Sequence, residues 1–366
     1  LAAVLLALFF NGTISLDLLS FLLFLVVIAT VVYADRRKTK FEGVILVRRS
    51  QRGINFIKKT ADKHPRFWNG FYTVGAIVSI PIMIFISYLL LENAVKIILG
   101  VTKAGAVGLI LPGPTSGIVA VPGAFILPWW IWVIGIAFVI IPHEMSHGVM
   151  CRVKRVGIKS VGWLLLAILP GAFVEQDDKQ LKKKPRSTKI KVYAAGSFAN
   201  VVLAAVLFLI LSSMSVLFTP AGLSYTMIDS SPADAVNLSG AITAINGIPI
   251  RNIGDLRGVL SEFSPGDAIS ITTVQNAQVS PIFLFGAPQP GFIVNPSNYS
   301  STTLTLGEHP QSGQAFLGIG EPFIRSYVFT PGVDVFVLYM LVFYLFVFSF
   351  GIGLANLLPI KPLDGG

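Results

Sequence analysis

The chain reads as a polytopic α-helical membrane protein of five to six spans, with a re-entrant strand or hairpin segment and an inserted external α+β domain. Three observations carry this reading. Of the 366 residues, 54% are apolar and 13% charged, about half the charge fraction of a soluble domain. Five apolar runs approach the roughly 20 residues that a helix needs to cross about 30 Å of hydrocarbon. The 28 Lys and Arg are bunched, eleven between Arg36 and Arg66 and eleven between Arg152 and Lys191. Together these exclude a disordered or collagen-like chain and argue against a cytosolic globule. A net charge of +10 would suggest nucleic acid in a soluble protein. Here the basic clusters flank spans, so lipid headgroups and orientation account for them, and no nucleic-acid partner is expected.

The spans run from about Leu16 to Tyr33, Phe71 to Leu99, Pro128 to Met150, Lys191 to Met214 and Asp334 to Leu358, with a partial sixth from Leu1 to Phe10. Backbone groups in lipid must be satisfied within the segment, and strict alternation is absent, so helices are expected rather than a barrel. The positive-inside rule puts both basic clusters in the cytoplasm. The segment from Leu217 to Thr330 has three basic residues, Arg251, Arg257 and Arg325, against seven acidic ones, and belongs outside. Orientation then alternates without conflict. The Gly- and Pro-rich stretch from Val101 to Pro128 reads as an external loop without clear structure. One cysteine, Cys151, offers no internal disulfide. The expected organisation is residues 1–127 as N-terminal spans with a basic cytoplasmic loop, 128–216 as the first part of a membrane core, 217–330 as the external domain, and 331–366 as the final span. Leu1 at one end and Gly366 directly after a motif at the other both read as truncations.

His143-Glu144-Met145-Ser146-His147 fits HExxH near the cytoplasmic end of the third run. On a helix, positions i and i+4 share a face, so two imidazoles can grip one zinc ion. Glu144 then lies beside the metal as a proton acceptor. The chain holds only four His and seven Glu, which makes chance assembly of this pattern a poor explanation. Ionisable groups inside a span also cost about 2.5–3.5 kcal/mol each on insertion scales. A catalytic zinc takes three protein ligands and leaves one position open. Asp364, at the cytoplasmic end of the last span, matches the depth of the two histidines and is the expected third ligand. The rival, Glu175, lies in a stretch broken by Gly and Pro.

Three segments together resemble the site-2 protease family of intramembrane zinc metalloproteases. HExxH stands as His143 to His147, and NxxPxxxLDG as Asn356, Pro359, Leu363, Asp364 and Gly365. Pro170-Gly171-Ala172-Phe173-Val174, followed by Ala195-Gly196-Ser197-Phe198-Ala199-Asn200, makes the third. The resemblance implies that His143, His147 and Asp364 bind Zn2+, that Glu144 is the catalytic general base, and that Asn200 and Asn356 position the substrate backbone. A buried Asn serves equally as interhelical glue, and both readings stand. Relatives of this kind usually continue past LDGG.

Val156 to Glu175, apolar but interrupted by Gly and Pro, is expected to form a re-entrant strand or hairpin buried against protein, the competing form being an amphipathic surface loop. Its edge would hold an unwound peptide by strand addition. In the external domain, Ser230-Ser231-Pro232-Ala233, AITAINGIPI and a short helix from Ile253 to Leu260 look like a PDZ domain, with Ala315 to Gly320 as a closing strand and Gln275 to Gly313 as an inserted loop. Such a domain binds a peptide ligand or serves as a spacer. The expected function is intramembrane cleavage of membrane-anchored proteins in a multi-pass cell-membrane enzyme, with its active site near the cytoplasmic face and the PDZ-like domain outside. A PDZ-containing membrane receptor or chaperone with a vestigial metal site is the alternative from another class, and a transporter with broken helices a third.

Overall fold

A computed structural model describes residues 2–101, 108–114, 119–121, 124–166, 169–214, 218–274, 277–279, 291–293, 299–310, 312–320, 324–329, 332–361 and 363–366. The chain forms two compact units, Leu1–Leu209 with Leu341–Gly366, and Ile210–Met340.

The first unit opens with helices α1 (Ala2–Phe10) and α2 (Leu16–Ala34). Ser15 caps α2 by accepting from the Leu18 N–H at 3.2 Å, and Asp17 in the first turn faces the positive end of the helix dipole. A hairpin follows, β1 (Thr39–Glu42) and β2 (Ile45–Ser50), then α3 (Ile54–Lys63) and the long α4 (Pro65–Ile98). Strands β3 (Leu109–Gly113), β4 (Val119–Val121) and β5 (Ala124–Pro128) make a small sheet in the order β3-β5-β4. Next come α5 (Trp129–Val153), β6 (Ile158–Leu166), β7 (Leu169–Gln176), the single turn α6 (Asp178–Lys182) and α7 (Arg186–Met214).

The second unit holds β8 (Phe218–Ser224), α8 (Pro232–Ala235), β9 (Ala241–Ile245), β10 (Ile248–Pro249), α9 (Ile253–Leu260), β11 (Ala268–Val274), β12 (Ala277–Val279), β13 (Gly291–Ile293), β14 (Tyr299–Thr305), β15 (Gly307–Glu308), β16 (Ala315–Phe316) and β17 (Ile324–Phe329). Helix α10 (Gly332–Asn356) leads back to the first unit.

Among the described residues, five helices are long and apolar enough to cross a membrane: Leu16–Ala34, Pro65–Ile98, Trp129–Val153, Arg186–Met214 and Leu338–Asn356. They match the five apolar runs. The partial sixth is the nine-residue helix α1. Helix α4 keeps Ile77, Ile80, Ile84, Tyr88 and Leu91 exposed at helical spacing, as a lipid-facing stripe requires.

Two expectations are corrected in this unit. The basic stretch after α2 is not simply a loop, because β2 pairs antiparallel with β6 to give a sheet in the order β1-β2-β6-β7. Its cations are tied down there: Arg48 pairs with Asp35, and Arg49 with Glu42 and Glu175. The Val101 to Pro128 stretch is not structureless either. Ile110 and Leu111 of β3 pair in parallel with Phe125 and Ile126 of β5, so short apolar runs between the Gly and Pro residues form strands. Residues 102–107, 115–118 and 122–123 of that stretch lie outside the described ones. The segment expected as a re-entrant strand or hairpin is the antiparallel pair β6 and β7, from Ile158↔Gln176 to Leu166↔Leu169.

The helices approach closely where glycine faces a ring or another backbone. A Cβ on Gly75 of α4 would lie 2.5 Å from Phe198 of α7, and one on Gly135 of α5 would lie 2.5 Å from Phe348 of α10. Gly353 of α10 lies against α7, where its Cβ would be 3.2 Å from Asn200 and 3.3 Å from the Ser197 carbonyl. Small residues let apolar helices gain dispersion contact without a hydrophobic driving force between them. On the other side, Ile57 and Ala61 of α3, Tyr72 of α4, Val149 and Met150 of α5 and Val192 of α7 share a buried cluster.

In the second unit, the main sheet runs β12-β13-β17-β8-β9-β11-β14, with β10 on β9. Asn246 and Gly247, both at positive φ (49° and 80°), make the tight turn between β9 and β10. Helix α9 occupies the expected Ile253 to Leu260 and packs Leu256 and Val259 into a core with Ile242, Ile245, Ile269 and Ile271. The stretch from Gln275 to Gly313 is not a plain inserted loop, because β14 pairs along the whole of β11, from Ala268↔Thr305 to Val274↔Tyr299. Residues 280–290 and 294–298 of it lie outside the described ones. Ala315 and Phe316 do not close this sheet; as β16 they pair with β15 alone.

Replacing Gly135 with Leu should force Phe348 aside and destabilise the bundle by about 1–3 kcal/mol, the usual range for overpacking. Thermal unfolding in detergent would show it as a lowered midpoint. An unchanged midpoint would mean that α5 and α10 separate without cost.

Candidate metal centre

The site is built on α5, which runs unbroken through Pro142. Proline removes one helix hydrogen bond, and one turn on, the Ser146 hydroxyl donates to the Pro142 carbonyl at 2.7 Å. Downstream of this point His143 and His147 project from one face. Their Nε2 atoms are 3.3 Å apart, and both rings are buried.

Asp364 reaches the pair from the other end of the chain. Its Oδ2 lies 3.1 Å from His143 Nε2 and 3.3 Å from His147 Nε2. The delivery is local: α10 ends at Asn356, and the Asn356 carbonyl accepts the Gly365 N–H at 2.9 Å, which turns the chain so that Asp364 points back into the bundle. The Ser197 hydroxyl of α7 donates to the same Oδ2 at 3.1 Å.

Helix α7 completes the enclosure along one stripe, Val192, Gly196 and Asn200. The His147 Nδ1–H donates to the Val192 carbonyl at 2.7 Å, which leaves Nε2 as the ring's free lone pair. The Asn200 amide lies 3.0 Å from His143 Nδ1 and is fully buried. Its Oδ1 has no other partner, so half a turn of the amide lets that oxygen accept the Nδ1–H and presents the His143 Nε2 lone pair in the same way. Gly196 keeps the middle open: a Cβ there would lie 2.6 Å from His143 Nε2 and in hard contact with His147 Nε2.

These residues fit a metal by their own chemistry. Two imidazole nitrogens and one carboxylate oxygen lie within 4.8 Å of one another, each oriented by a neighbour, around a point from which the glycine excludes carbon. That is the donor set of a three-ligand zinc site with one open position. Glu175 is not part of the group. A hydrogen bond from Ser160 at 2.6 Å and the Arg49 guanidinium at 3.0 Å hold its carboxyl below the usual range and occupy it on the sheet.

Glu144, one residue along from His143, is half-buried, and its Oε2 accepts the Val174 N–H of β7 at 2.9 Å. It lines a cavity of about 360 Å³ between α5 and the four-stranded sheet. Ile141 and Met145 of α5, Trp163 of β6 and Phe173 of β7 supply apolar walls, and β2 and the start of α3 close the remaining side.

Of the residues singled out in the sequence, His143, His147 and Asp364 therefore come together, with Glu144 adjacent to His143 in the chain. Asn200 sits on His143, and Asn356 acts on Asp364 through its backbone. Gly196, Ser197, the Val192 carbonyl and Val174 were not foreseen as parts of the site. The i, i+4, i+8 spacing of Val192, Gly196 and Asn200 is the signal that would have found the stripe.

A family model described as Peptidase family M50 matches residues 131–366. An uncharacterized protein of Methanocaldococcus jannaschii is 23% identical over 328 residues, which cover 89% of this chain and 76% of that protein.

Substituting Gly196 with Val should abolish zinc retention although no ligand is touched, and Asp364→Ala should do the same, whereas Glu175→Ala should leave it intact. Asn200→Leu should weaken zinc binding about 10–100-fold, the usual cost of removing a partner that orients a ligand. Metal content after purification and competition with a chelator measure all four.

Proposed function

Because this chain belongs to peptidase family M50, the site-2 protease family, we propose that it is an intramembrane zinc metalloendopeptidase that cuts membrane-anchored proteins within or next to their spans. Its membrane character is that of a multi-pass protein, and its family is one of zinc-dependent metallopeptidases. The observation that carries the residue assignment is the meeting of His143, His147 and Asp364 around the opening left by Gly196, next to Glu144.

His143, His147 and Asp364 would hold the zinc. When bound, the metal supplies a Lewis acid that polarises the scissile carbonyl and eases the ionisation of water. Glu144 takes the proton of the attacking water and returns it to the leaving amide nitrogen. Val192 and Asn200 hold the two imidazoles in register, and Ser197 fixes the carboxylate of Asp364.

A helical substrate hides its carbonyls in its own hydrogen bonds, so it must be unwound before attack. Strand β7 stands at the edge of the sheet and carries Val174 beside Glu144. It is suited to receive the unwound segment as an added strand and to lay it past the catalytic carboxylate. We read β6 and β7 as the re-entrant hairpin, sheltered by α5. The basic residues around Arg36 to Arg66 and Arg152 to Lys191 support reading this end of the bundle as the cytoplasmic one, with water reaching the cavity from that side. The second unit is read as an external PDZ-like domain that engages a peptide segment of the substrate. Its α9 and the Asn246-Gly247 turn between β9 and β10 support that reading.

Glu144→Gln should retain zinc and lose cleavage of a single-span test substrate in detergent or proteoliposomes. Undiminished turnover with zinc still bound would refute the role given to Glu144.

A further inference from the structure

The cavity beside Glu144 has a charged wall that the reaction does not use. Residues 48, 50, 52, 53, 56 and 57 contribute to its lining, and all of them precede the stretch matched by the family model, which begins at residue 131. Arg48 is neutralised by its ion pair with Asp35. Arg52 is different. It is exposed, its backbone N–H donates to the Ser50 hydroxyl at 3.0 Å, and its guanidinium has no carboxylate partner among the described residues. No acidic residue stands in the first turn of α3, which begins two positions later. The remaining charged group on the lining is Glu144, already held by Val174 and assigned to the proton transfer.

A peptide lying in this cavity with its scissile bond at Glu144 therefore passes one cation that has no acidic partner among the described residues, Arg52. Cytoplasmic flanks of membrane proteins are enriched in Lys and Arg, and such flanks meet repulsion and desolvation at Arg52. An acidic flank meets an unpaired guanidinium able to take it in a bidentate fork. Discrimination by repulsion of the commoner sequences is as effective as attraction of the rarer ones. Resting on the proteolytic reading above, we propose that Arg52 is a specificity-determining residue, which selects membrane-anchored substrates with an acidic residue on the cytoplasmic side of the scissile bond and disfavours those with a basic one.

The test uses the full chain, zinc-loaded, in proteoliposomes, with three single-span substrates identical except for Asp, Ser or Lys on the cytoplasmic side of the cleavage site. The wild-type protein should rank kcat/KM as Asp above Ser above Lys, with about tenfold between the extremes, the scale of one exposed charge pair across a partly hydrated cavity. Arg52→Gln should level the three, and Arg52→Glu should invert the order. The preference should shrink as salt is raised, because the pair is exposed to solvent. The same order in all three proteins, or one uniform loss of rate, would overturn the role of Arg52 and leave the protease assignment standing. Absence of any Glu144-dependent cleavage by the wild-type protein would overturn both.

Discussion

The interaction on which the rest of the molecule depends is the convergence of two imidazoles from α5 and one carboxylate from the last turn of the chain, 3.1 and 3.3 Å apart across the bundle. In an apolar interior such groups are tolerated only when each is satisfied. The surrounding structure can be read as the set of conditions that satisfies them. Val192 and Asn200 take the outward-facing ring nitrogens, Ser197 takes one carboxylate oxygen, and the Asn356 to Gly365 hydrogen bond aims the carboxylate.

This arrangement constrains the packing of α5, α7 and α10 over their length. Glycines at 135 and 196 stand where a Cβ would strike Phe348 or the imidazoles, and Gly353 where one would press tightly on α7. A shift of one helix by a side chain's width would separate the donors, so precision at the site rests on small residues some distance from it. The four-stranded sheet is held to the same frame through Val174, which bonds Glu144, and through the contact of Gly148 with Ile57 and Val174.

Much of this was legible in the sequence, for reasons that are themselves physical. Apolar runs announce spans because lipid imposes length and internal hydrogen bonding. Two histidines four apart announce a ligand pair because a helix puts them on one face. Val156 to Glu175 was readable as a strand pair because Gly and Pro deny it a helix. Strands β1 and β2 were not readable, since the charge of Arg48 and Arg49 marked the segment as a cytoplasmic flank, and the partners that neutralise it, Asp35, Glu42 and Glu175, are distant or unremarkable in the chain. The same holds for β14, whose Ser- and Thr-rich run carries little hydrophobic signal until it lies against β11. Gly196 illustrates the limit most clearly: what a missing side chain makes room for is a property of the neighbouring helix. Asn200 was recognisable as a buried polar group in need of a partner, while the identity of that partner, His143, is set by tertiary packing.

X-ray absorption at the zinc edge of the loaded protein, compared with an Asp364→Ala variant reloaded at high zinc, tests the central geometry most directly. The account predicts two imidazole nitrogens and oxygen neighbours at about 2.0–2.2 Å with no sulfur, and in the variant a protein oxygen lost with both imidazoles retained. A sulfur neighbour, or a spectrum that does not change when Asp364 is removed, would contradict it.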